Sequence, residues 1–312
     1  MNLVIGAVTI GLILALLGLG VFLSYRVYHL VDLTADGSFG IGVAVAAALL
    51  VKGVPPLLAT LAAVVAGALA GGITGFLHTR FMVNALLAGV LTSTALYSVC
   101  LFIMGGSLSL ASAPTLVTQA EGLAVRLGHP ESVTLLGTEV QASAIVALVL
   151  MALLAAGFAL ALTWFLGTDL GTAMRAAGNN PQMARAVAVD VEGMVVLGLG
   201  VSNGLIALSG ALIAQYQGFA NITMGVGAIV TGLANLMVGE TLLGRRSTGR
   251  WIAGAVVGAV VFRLLVAAAI RAGLNPDALK LLTAVFVLAV LILPQLAARM
   301  QRQRVEGARP RA

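Results

Sequence analysis

The sequence predicts an all-α polytopic membrane protein with about eight to ten transmembrane helices. Of its 312 residues, 60% are hydrophobic and only 9% are charged, whereas soluble globular proteins average about 25% charged residues. The apolar residues lie in runs of about 20, the length that a membrane-spanning helix needs. The 38 glycines favour close packing of such helices through small residues.

Nine apolar runs are long enough to span a membrane. The first has no basic region before it and no convincing cleavage site after it, so it is predicted to be a retained span. A polar connection at 105–140 is predicted to be an exported loop with a short helix. The runs lie at about 2–25, 30–51, 54–77, 81–104, 141–166, 193–216, 222–243, 251–271 and 276–297.

Lysine and arginine residues flank these runs unevenly, and the richer side is expected to face the cytoplasm. With the N-terminus outside, 12 basic residues lie inside and 4 lie outside, while Arg263 remains within a span. We therefore expect the N-terminus outside, the C-terminus inside and a basic cytoplasmic tail at 299–312.

An internal repeat is visible in the polar residues that open the spans. Residues 31–34 (VDLT) resemble residues 220–223 (ANIT), and Asn84 with Thr92 recurs as Asn275 with Thr283. The corresponding spans would run in opposite directions, as in the inverted-topology repeats of transporters. Chance similarity between apolar segments is the alternative.

A polar island from Gly167 to Asp190 interrupts the apolar sequence. It predicts a helix from Leu170 to Ala177, a break at Gly178-Asn179-Asn180 and a second helix from Pro181 to about Val189. Asparagine is a good N-cap and proline is favoured at the first helical position. Neither helix is apolar enough to span a membrane, so the pair is predicted to dock a soluble partner on the cytoplasmic side.

These features predict one transmembrane domain, residues 1–298. Its halves are expected at about 1–104 and 192–297, around the central span 141–166 and the loop 167–190.

Asp32 and Asp36 form the most unusual feature of the apolar sequence. A carboxylate within a span costs about 2.5–3.5 kcal/mol on insertion scales, so each needs a partner or water. Together with Thr34 and Ser38 they could line a translocation path at a broken helix. Equally, the two carboxylates could only satisfy backbone groups at a kink, and the sequence leaves both interpretations open.

Other polar side chains within the spans are candidates for the same path. They could line a pore, or they could hydrogen-bond neighbouring helices for under about 1–2 kcal/mol each. Glu240 lies five residues before Arg245 and is expected to form a surface ion pair. The candidates are Thr92, Thr94, Tyr97, Ser202, Asn203, Gln215 and Asn221.

No catalytic chemistry is visible in the sequence. It has no Gly-x-x-x-x-Gly-Lys-Ser/Thr phosphate loop and no His, Cys and carboxylate cluster at metal-ligand spacing. We therefore expect no enzyme activity, no metal and no cofactor. The net charge of +6 gives no reason to expect a nucleic-acid partner.

The polar island resembles a segment of a known protein family. Residues 171–186 (GTAMRAAGNNPQMARA) resemble the cytoplasmic loop of membrane subunits of ATP-binding-cassette (ABC) importers, specifically the branched-chain amino acid and ribose permease type. The glycine that usually follows this loop is Ala188 here. Further segments are similar to the tryptophan/tyrosine permease subgroup: 31–39, 86–89, 94–98, 104–106 and 202–219.

The resemblance implies a bacterial inner-membrane permease that pairs with a second permease copy, giving a homodimer or a heterodimer. It implies two cytoplasmic ATPase subunits that bind ATP and Mg, and an external solute-binding protein that delivers an amino acid, aromatic before branched-chain. The ATPase-coupling residues are then expected to be Leu170, Arg175, Ala176, Gly178, Asn179, Asn180, Pro181, Met183, Ala184 and Arg185.

Three alternatives remain at this stage. An ion-gradient-driven transporter would use Asp32 and Asp36 as its ion site. An ABC permease for a sugar, a nucleoside or another small solute would share the loop but not the substrate. A non-transporting membrane anchor is disfavoured by the repeat and by the carboxylates within the spans.

Overall fold

The computed structural model of the chain is a helical bundle, described for residues 2–126, 132–135, 138–244, 247–273 and the single positions 281, 285 and 288. Eight helices in this part of the chain are long and apolar enough to cross a membrane. The α-helices are α1 Asn2–Phe22, α2 Thr34–Val51, α3 Pro56–Arg80, α4 Ala85–Met104, α5 Leu116–Arg126, α6 Ala142–Gly167, α7 Asp169–Asn179, α8 Pro181–Ala186, α9 Val191–Gln217, α10 Ala228–Leu243 and α11 Thr248–Arg271.

The predicted fold class is confirmed, and the first eight predicted spans correspond to helices. A π-helical turn, Leu23–Val27, extends α1, and a 3-10 turn, Ile222–Gly225, precedes α10. Most of the ninth predicted span (276–297), and all of the tail at 299–312, lie outside the described residues.

The predicted exported loop contains the expected short helix, α5, and also strands that the sequence did not predict. The strand β1 (Ser107–Ser109) pairs antiparallel with β4 (Phe219–Asn221), which follows α9. This pair places the C-terminal ends of α4 and α9 at the same end of the bundle. A hairpin of β2 (Ser132–Leu135) and β3 (Thr138–Gln141) leads into α6.

The helix α9 forms the centre of the bundle and packs against α1, α2 and α3. Glycines allow the backbones to approach closely. A Cβ on Gly71 would lie 2.1 Å from the carbonyl oxygen of Leu199, and one on Gly67 would lie 2.3 Å from the Cβ of Ala207. The predicted small-residue packing of the spans is therefore present at the α3–α9 contact.

The arrangement of helices in the bundle supports the predicted repeat. The helices α2 and α3 pack on α9, while α10 and α11 pack on α1, and α1 and α9 pack on each other. In a repeat that relates α1 to α9, α2 to α10 and α3 to α11, the first helix of each half packs against the second and third helices of the other half. The observed contacts have this pattern.

The two repeat motifs also share their local geometry. The Asp32 carboxylate accepts the N–H of Thr34 at 2.9 Å, and the Asn221 side chain accepts the N–H of Thr223 at 2.8 Å. Each motif thus forms the same side-chain-capped turn where its helix opens. The second pair of the repeat includes Asn275, which lies outside the described residues.

Candidate functional site

The predicted helix pair on the polar island is present as α7 and α8. The Thr168 hydroxyl accepts the N–H of Gly171 at 3.3 Å and caps α7, and the Asn180 side chain accepts the N–H of Met183 at 3.0 Å and caps α8. Pro181 is the first residue of α8. The N-cap that the sequence predicted at Asn180 is therefore confirmed.

The break between the two helices is shorter than predicted. The helix α7 continues through Gly178 and Asn179 and ends at Asn179, so the chain turns at Asn180 alone. The glycine is needed for a tertiary contact instead, because a Cβ there would lie 1.9 Å from the carbonyl oxygen of Val27. The helix α8 is also shorter than predicted and ends at Ala186.

Part of the pair is buried, and other positions expose apolar side chains. Ala177 and Ala184 pack with Val191 at the start of α9. Met183 is 67% exposed and Leu170, at the start of α7, is 42% exposed. An apolar surface on a polar, non-spanning segment is typical of a docking site for another protein.

The predicted coupling residues divide between this exposed surface and the buried contact. Leu170, Asn179, Asn180, Pro181, Met183 and Arg185 are exposed, Ala184 is buried, and Arg175, Ala176 and Gly178 are half-buried. The Arg175 guanidinium lies 3.2 Å from the Thr172 hydroxyl and 3.5 Å from that of Thr248, so it bridges α7 and the start of α11.

The end of α1 connects the helix pair to the bundle. Besides the contact of Gly178 with Val27, the His29 ring lies 3.4 Å from the Asn179 side chain, and the Tyr28 hydroxyl donates to the carbonyl of Met194. Burial raises the pKa of Tyr28, so this hydroxyl stays protonated as a donor. The π-helical turn at Leu23–Val27 therefore lies between the helix pair and the membrane-spanning part of α1.

Glu240 corrects a prediction made from the sequence. It was expected to form an ion pair at the surface, but its side chain is only 3% exposed and forms a bidentate ion pair with Arg26. Arg245, the base nearest in the sequence analysis, lies outside the described residues. The pair joins the end of α1 to the end of α10. The partner lies 214 residues away in the sequence, so no local pattern could have identified it.

Asp32 is the centre of a buried polar network. One carboxylate oxygen accepts the Thr34 N–H, and the other accepts from the Asn203 amide at 2.6 Å. The Thr34 hydroxyl lies 2.7 Å from that of Thr74, which in turn lies 3.0 Å from that of Thr92. The network joins α2, α3, α4 and α9, and Thr74 is a member that the sequence analysis missed.

Asp36 caps the start of α10. Its carboxylate oxygens accept the backbone N–H groups of Gly227 at 3.0 Å and of Ile229 at 2.8 Å. The first turn of α2 thus meets the first turn of α10, and both carboxylates satisfy backbone groups where helices open. Of the two interpretations left open by the sequence, this geometry favours the structural one.

The remaining predicted path residues differ in their surroundings. Ser202 donates to the Gly20 carbonyl at 2.7 Å and Gln215 donates to the Thr60 hydroxyl at 2.8 Å, so both bond helices to each other. The buried Ser38 hydroxyl has no hydrogen-bond partner among the described residues. By contrast, Thr94 and Tyr97 are exposed along α4.

Two cavities lie beside the first turn of α10. The larger, of about 210 Å³, lies between α1, α2, α9, α10 and α11 and includes Arg263 in its wall. The smaller, of about 100 Å³, is lined by Asp36 and Tyr97 among others, and Val226 borders both. Of the predicted path residues, only Asp36 and Tyr97 line either cavity. The role of all the predicted path residues in transport stays a prediction.

The sequence of the chain matches a family described as "Branched-chain amino acid transport system / permease component" over residues 3–293. It is 34% identical over 289 residues to a "Tyrosine transport system permease protein" of Clostridioides difficile (strain R20291), covering 92% of this chain and 90% of that protein. It is also 31% identical over 286 residues to an uncharacterised protein of Rickettsia prowazekii (strain Madrid E), covering 90% and 94% of the two chains.

A solved structure shares the fold. The structure described as "An inward-facing conformation of a putative metal-chelate type ABC transporter" matches with a TM-score of 0.51 and 16% identity, covering 94% of this chain and 85% of that one.

Proposed function

The chain belongs to the family of permease components of branched-chain amino acid transport systems, and from this membership we propose that it moves an amino acid across the bacterial inner membrane. It is a multi-pass subunit of an ABC importer, and its family is not an enzyme family. ATP and Mg bind to two cytoplasmic ATPase subunits, and an external binding protein delivers the solute. The N-terminus faces outside and the C-terminus faces the cytoplasm.

The exposed apolar surface of α7 and α8 is the observation that carries the coupling role. Met183 and Leu170 present hydrophobic area that the described part of the chain does not cover. An ATPase subunit that covers this surface removes it from water, which favours association by roughly 25 cal/mol for each Å² of apolar area buried.

Movement of the ATPase reaches the transmembrane helices through the end of α1. Gly178 touches the π-helical turn at Val27, and the next residue back, Arg26, holds Glu240 at the end of α10. A displacement of α7 is therefore transmitted to α1 and α10 together. The ATPase drives transport only if it binds the loop differently in the two access states.

The solute passes between two copies of the permease. The exposed face of α4 carries hydroxyl groups of Thr94 and Tyr97, the latter 50% exposed. Polar side chains on a spanning helix favour a neighbouring helix or water over lipid. A second copy packed near α4 would provide both, with a water-filled path between them.

An aromatic amino acid is the substrate that the comparisons favour. The relative from Clostridioides difficile is named for tyrosine transport and is similar over nearly its whole length. Asp32 and Asp36 both have backbone or side-chain partners, which weighs against an ion-driven mechanism that uses them.

The coupling role is tested by placing a charge on the docking surface. We expect Met183→Glu to reduce copurification of the ATPase subunit, and ATP-driven tyrosine uptake in proteoliposomes, by about tenfold or more, because an unpaired carboxylate would be buried at the interface. Phe219→Glu is the matched control, since Phe219 is 48% exposed at the opposite end of the bundle. Full ATPase capture and normal uptake by Met183→Glu would refute the proposal.

A further inference from the structure

Two buried N–H groups, at the end of the bundle that carries α7 and α8, have no acceptor among the described residues. One is the Nε of Arg175 on α7, and the other is the indole Nε1 of Trp251 on α11. A buried donor without an acceptor is costly in free energy, and the indole N–H of a buried tryptophan usually finds a partner. The two donors together indicate an acceptor that comes from outside the described chain.

Thr248 brings these two donors together. The Arg175 guanidinium lies 3.5 Å from the Thr248 hydroxyl, and Trp251 follows Thr248 by three residues on α11. Residues three apart on a helix are neighbours, with about 5–6 Å between their Cβ atoms. The ring of Trp251 also packs edge to face on Phe22 at the end of α1, with the ring centroids 6.2 Å apart. This packing holds the indole at the junction of α1, α7 and α11.

The junction lies at the level where the spanning helices end. The helix α6 ends at Gly167 and α11 begins at Thr248, and a Cβ on Gly249 would lie 3.7 Å from the side chain of Thr163, so the two ends are adjacent. Trp164, which follows Thr163, is 74% exposed. Tryptophan is enriched at membrane–water interfaces, at the level of the lipid headgroups. The two donors therefore lie near the headgroup region.

The surroundings of the two donors are basic. Arg250 is exposed in the first turn of α11, and the sequence has no aspartate or glutamate from Thr241 to Pro276. Asp169 is the acidic residue nearest to Arg175 in the sequence, but it lies about 9 Å before it along the helix. A basic pocket between spanning helices on the cytoplasmic side is typical of a binding site for an anionic lipid headgroup.

We propose that Arg175 and Trp251 bind the phosphate of an anionic phospholipid from the inner leaflet. A guanidinium donates two parallel hydrogen bonds to a phosphate, here from Nε and a terminal nitrogen, and the indole N–H donates a third. The exposed charge near the start of α11 attracts a headgroup that is negative overall. The acyl chains cover the exposed stripe of α6 that runs through Leu153 and Leu160, 68% and 70% exposed, to Trp164.

A lipid at this position fixes α7 to the membrane surface. Arg175 projects from α7, so a bound phosphate holds the helix pair against the start of α11. Movement of the ATPase is then transmitted to the spanning helices rather than lost within the loop, and anionic lipid should tighten the coupling of ATP hydrolysis to uptake. This last step and the choice of leaflet rest on the proposed function, whereas the lipid site itself does not.

Lipid binding to the detergent-solubilised, full-length permease tests the site. The probes are radiolabelled phosphatidylglycerol, which is anionic, and phosphatidylcholine, which is zwitterionic, each with and without an excess of inorganic phosphate. The variants are Arg175→Gln, Trp251→Phe, which keeps an aromatic ring against Phe22, and Arg80→Gln. Arg80 is the matched control, because its side chain is 69% exposed and pairs with Glu192 at the start of α9, at the same end of the bundle.

We expect wild type and Arg80→Gln to bind phosphatidylglycerol about tenfold more tightly than phosphatidylcholine, and inorganic phosphate not to displace it. Arg175→Gln should weaken phosphatidylglycerol binding by about tenfold, because hydrogen bonds from a charged group are lost. Trp251→Phe should weaken it several-fold, because one neutral donor is lost. Both variants should keep the wild-type elution volume in size-exclusion chromatography, which shows that they remain folded.

Several results would overturn the inference. These are equal binding of the two lipids by the wild type, wild-type binding of phosphatidylglycerol by folded Arg175→Gln or Trp251→Phe, and an equal loss of binding in Arg80→Gln. Displacement of phosphatidylglycerol by inorganic phosphate would also overturn it, because the site would then take a free anion rather than a lipid.

The effect on coupling is measured in proteoliposomes that contain the permease with its ATPase and binding protein. The number of ATP molecules hydrolysed per tyrosine imported should be several-fold lower with phosphatidylglycerol than with phosphatidylcholine alone for the wild type, and equal in both for Arg175→Gln. An equal ratio for the wild type would overturn the effect on coupling. No ATP-driven tyrosine uptake in either lipid would instead refute the proposed function while selective lipid binding persists, so the two failures are distinguishable.

Discussion

Ala188 adopts a backbone conformation that residues with a side chain rarely take. Its φ is 62°, in the left-handed region that costs an L-residue roughly 1–2 kcal/mol and that glycine adopts freely. The position follows the helix pair, where the resemblance leads one to expect glycine. The chain thus keeps the turn that glycine normally makes, at an energetic cost.

Replacing Ala188 by glycine should therefore stabilise the protein. We expect Ala188→Gly to raise the free energy of unfolding by about 1 kcal/mol, seen as a higher midpoint in thermal unfolding of the detergent-solubilised permease. Ala173→Gly is the control: Ala173 lies inside α7, and glycine in the middle of a helix costs roughly 0.5–1 kcal/mol. A lower midpoint for both variants would contradict the assigned backbone strain.

The carboxylate of Asp32 is matched to its partners at the level of single atoms. Its oxygens accept from Thr34 and Asn203. An asparagine there would have one oxygen and one NH₂ group, so in either orientation a donor would face a donor. We expect Asp32→Asn to lower the free energy of unfolding by about 1–3 kcal/mol, measured by denaturation in detergent.

Two further variants test this explanation. In an Asn203→Ala background the cost of Asp32→Asn should shrink, because one facing donor is gone. Asp190→Asn makes the same chemical change at the exposed cap of α9 and should be nearly neutral, because asparagine caps helices as well as aspartate. Equal costs of Asp32→Asn in both backgrounds would show that the two side chains do not interact.

At the level of elements, Gly178 decides how closely α7 approaches α1. A Cβ at this position would overlap the carbonyl of Val27, and overpacking of this kind typically costs about 1–3 kcal/mol. We expect Gly178→Ala to push α7 away from the π-helical turn and to raise the number of ATP molecules hydrolysed per tyrosine imported several-fold.

Gly167→Ala is the control for this prediction. Gly167 ends α6 next to the same loop, and a Cβ there meets no atom within 4 Å. The variant should couple hydrolysis to uptake like the wild type. If Gly178→Ala also does so, the contact with Val27 is not part of the coupling route.

The sequence predicted elements well where the signal was local. Long apolar runs located the spans, and the Asn180-Pro181 pair located the start of α8. It failed where a distant contact decides the outcome: α7 continues through Gly178 because its missing side chain fits against Val27, and Glu240 turns inward because Arg26 meets it there. Such pairings across the chain leave no periodic or capping pattern in a single sequence.

At the level of the whole molecule, the directions of α1, α2 and α9 agree with the order of the predicted spans. Asp32 lies beside Asn203 and Phe39 beside Gly210, so α2 runs parallel to α9. Ser209 bonds the carbonyl of Ile13 and Ser202 that of Gly20, so α1 runs antiparallel to α9. These directions fit a chain in which each long helix from α1 to α11 crosses the membrane once, so that successive spans alternate in direction. Whether the ninth run, residues 276–297, also crosses the membrane then decides on which side the C-terminus lies.

Reporter fusions at two positions test that assignment. The excess of basic residues on one side predicts that Gly273, after the eighth span, lies outside and that Ala312 lies in the cytoplasm. Alkaline phosphatase, which folds only outside the cytoplasm, should be active after Gly273 and inactive after Ala312, and green fluorescent protein should give the reverse result. The same result at both positions would show that residues 276–297 do not span the membrane. Exchanged results would place α7 and α8 outside, where no ATPase could reach them, and would refute the coupling role as well as the orientation.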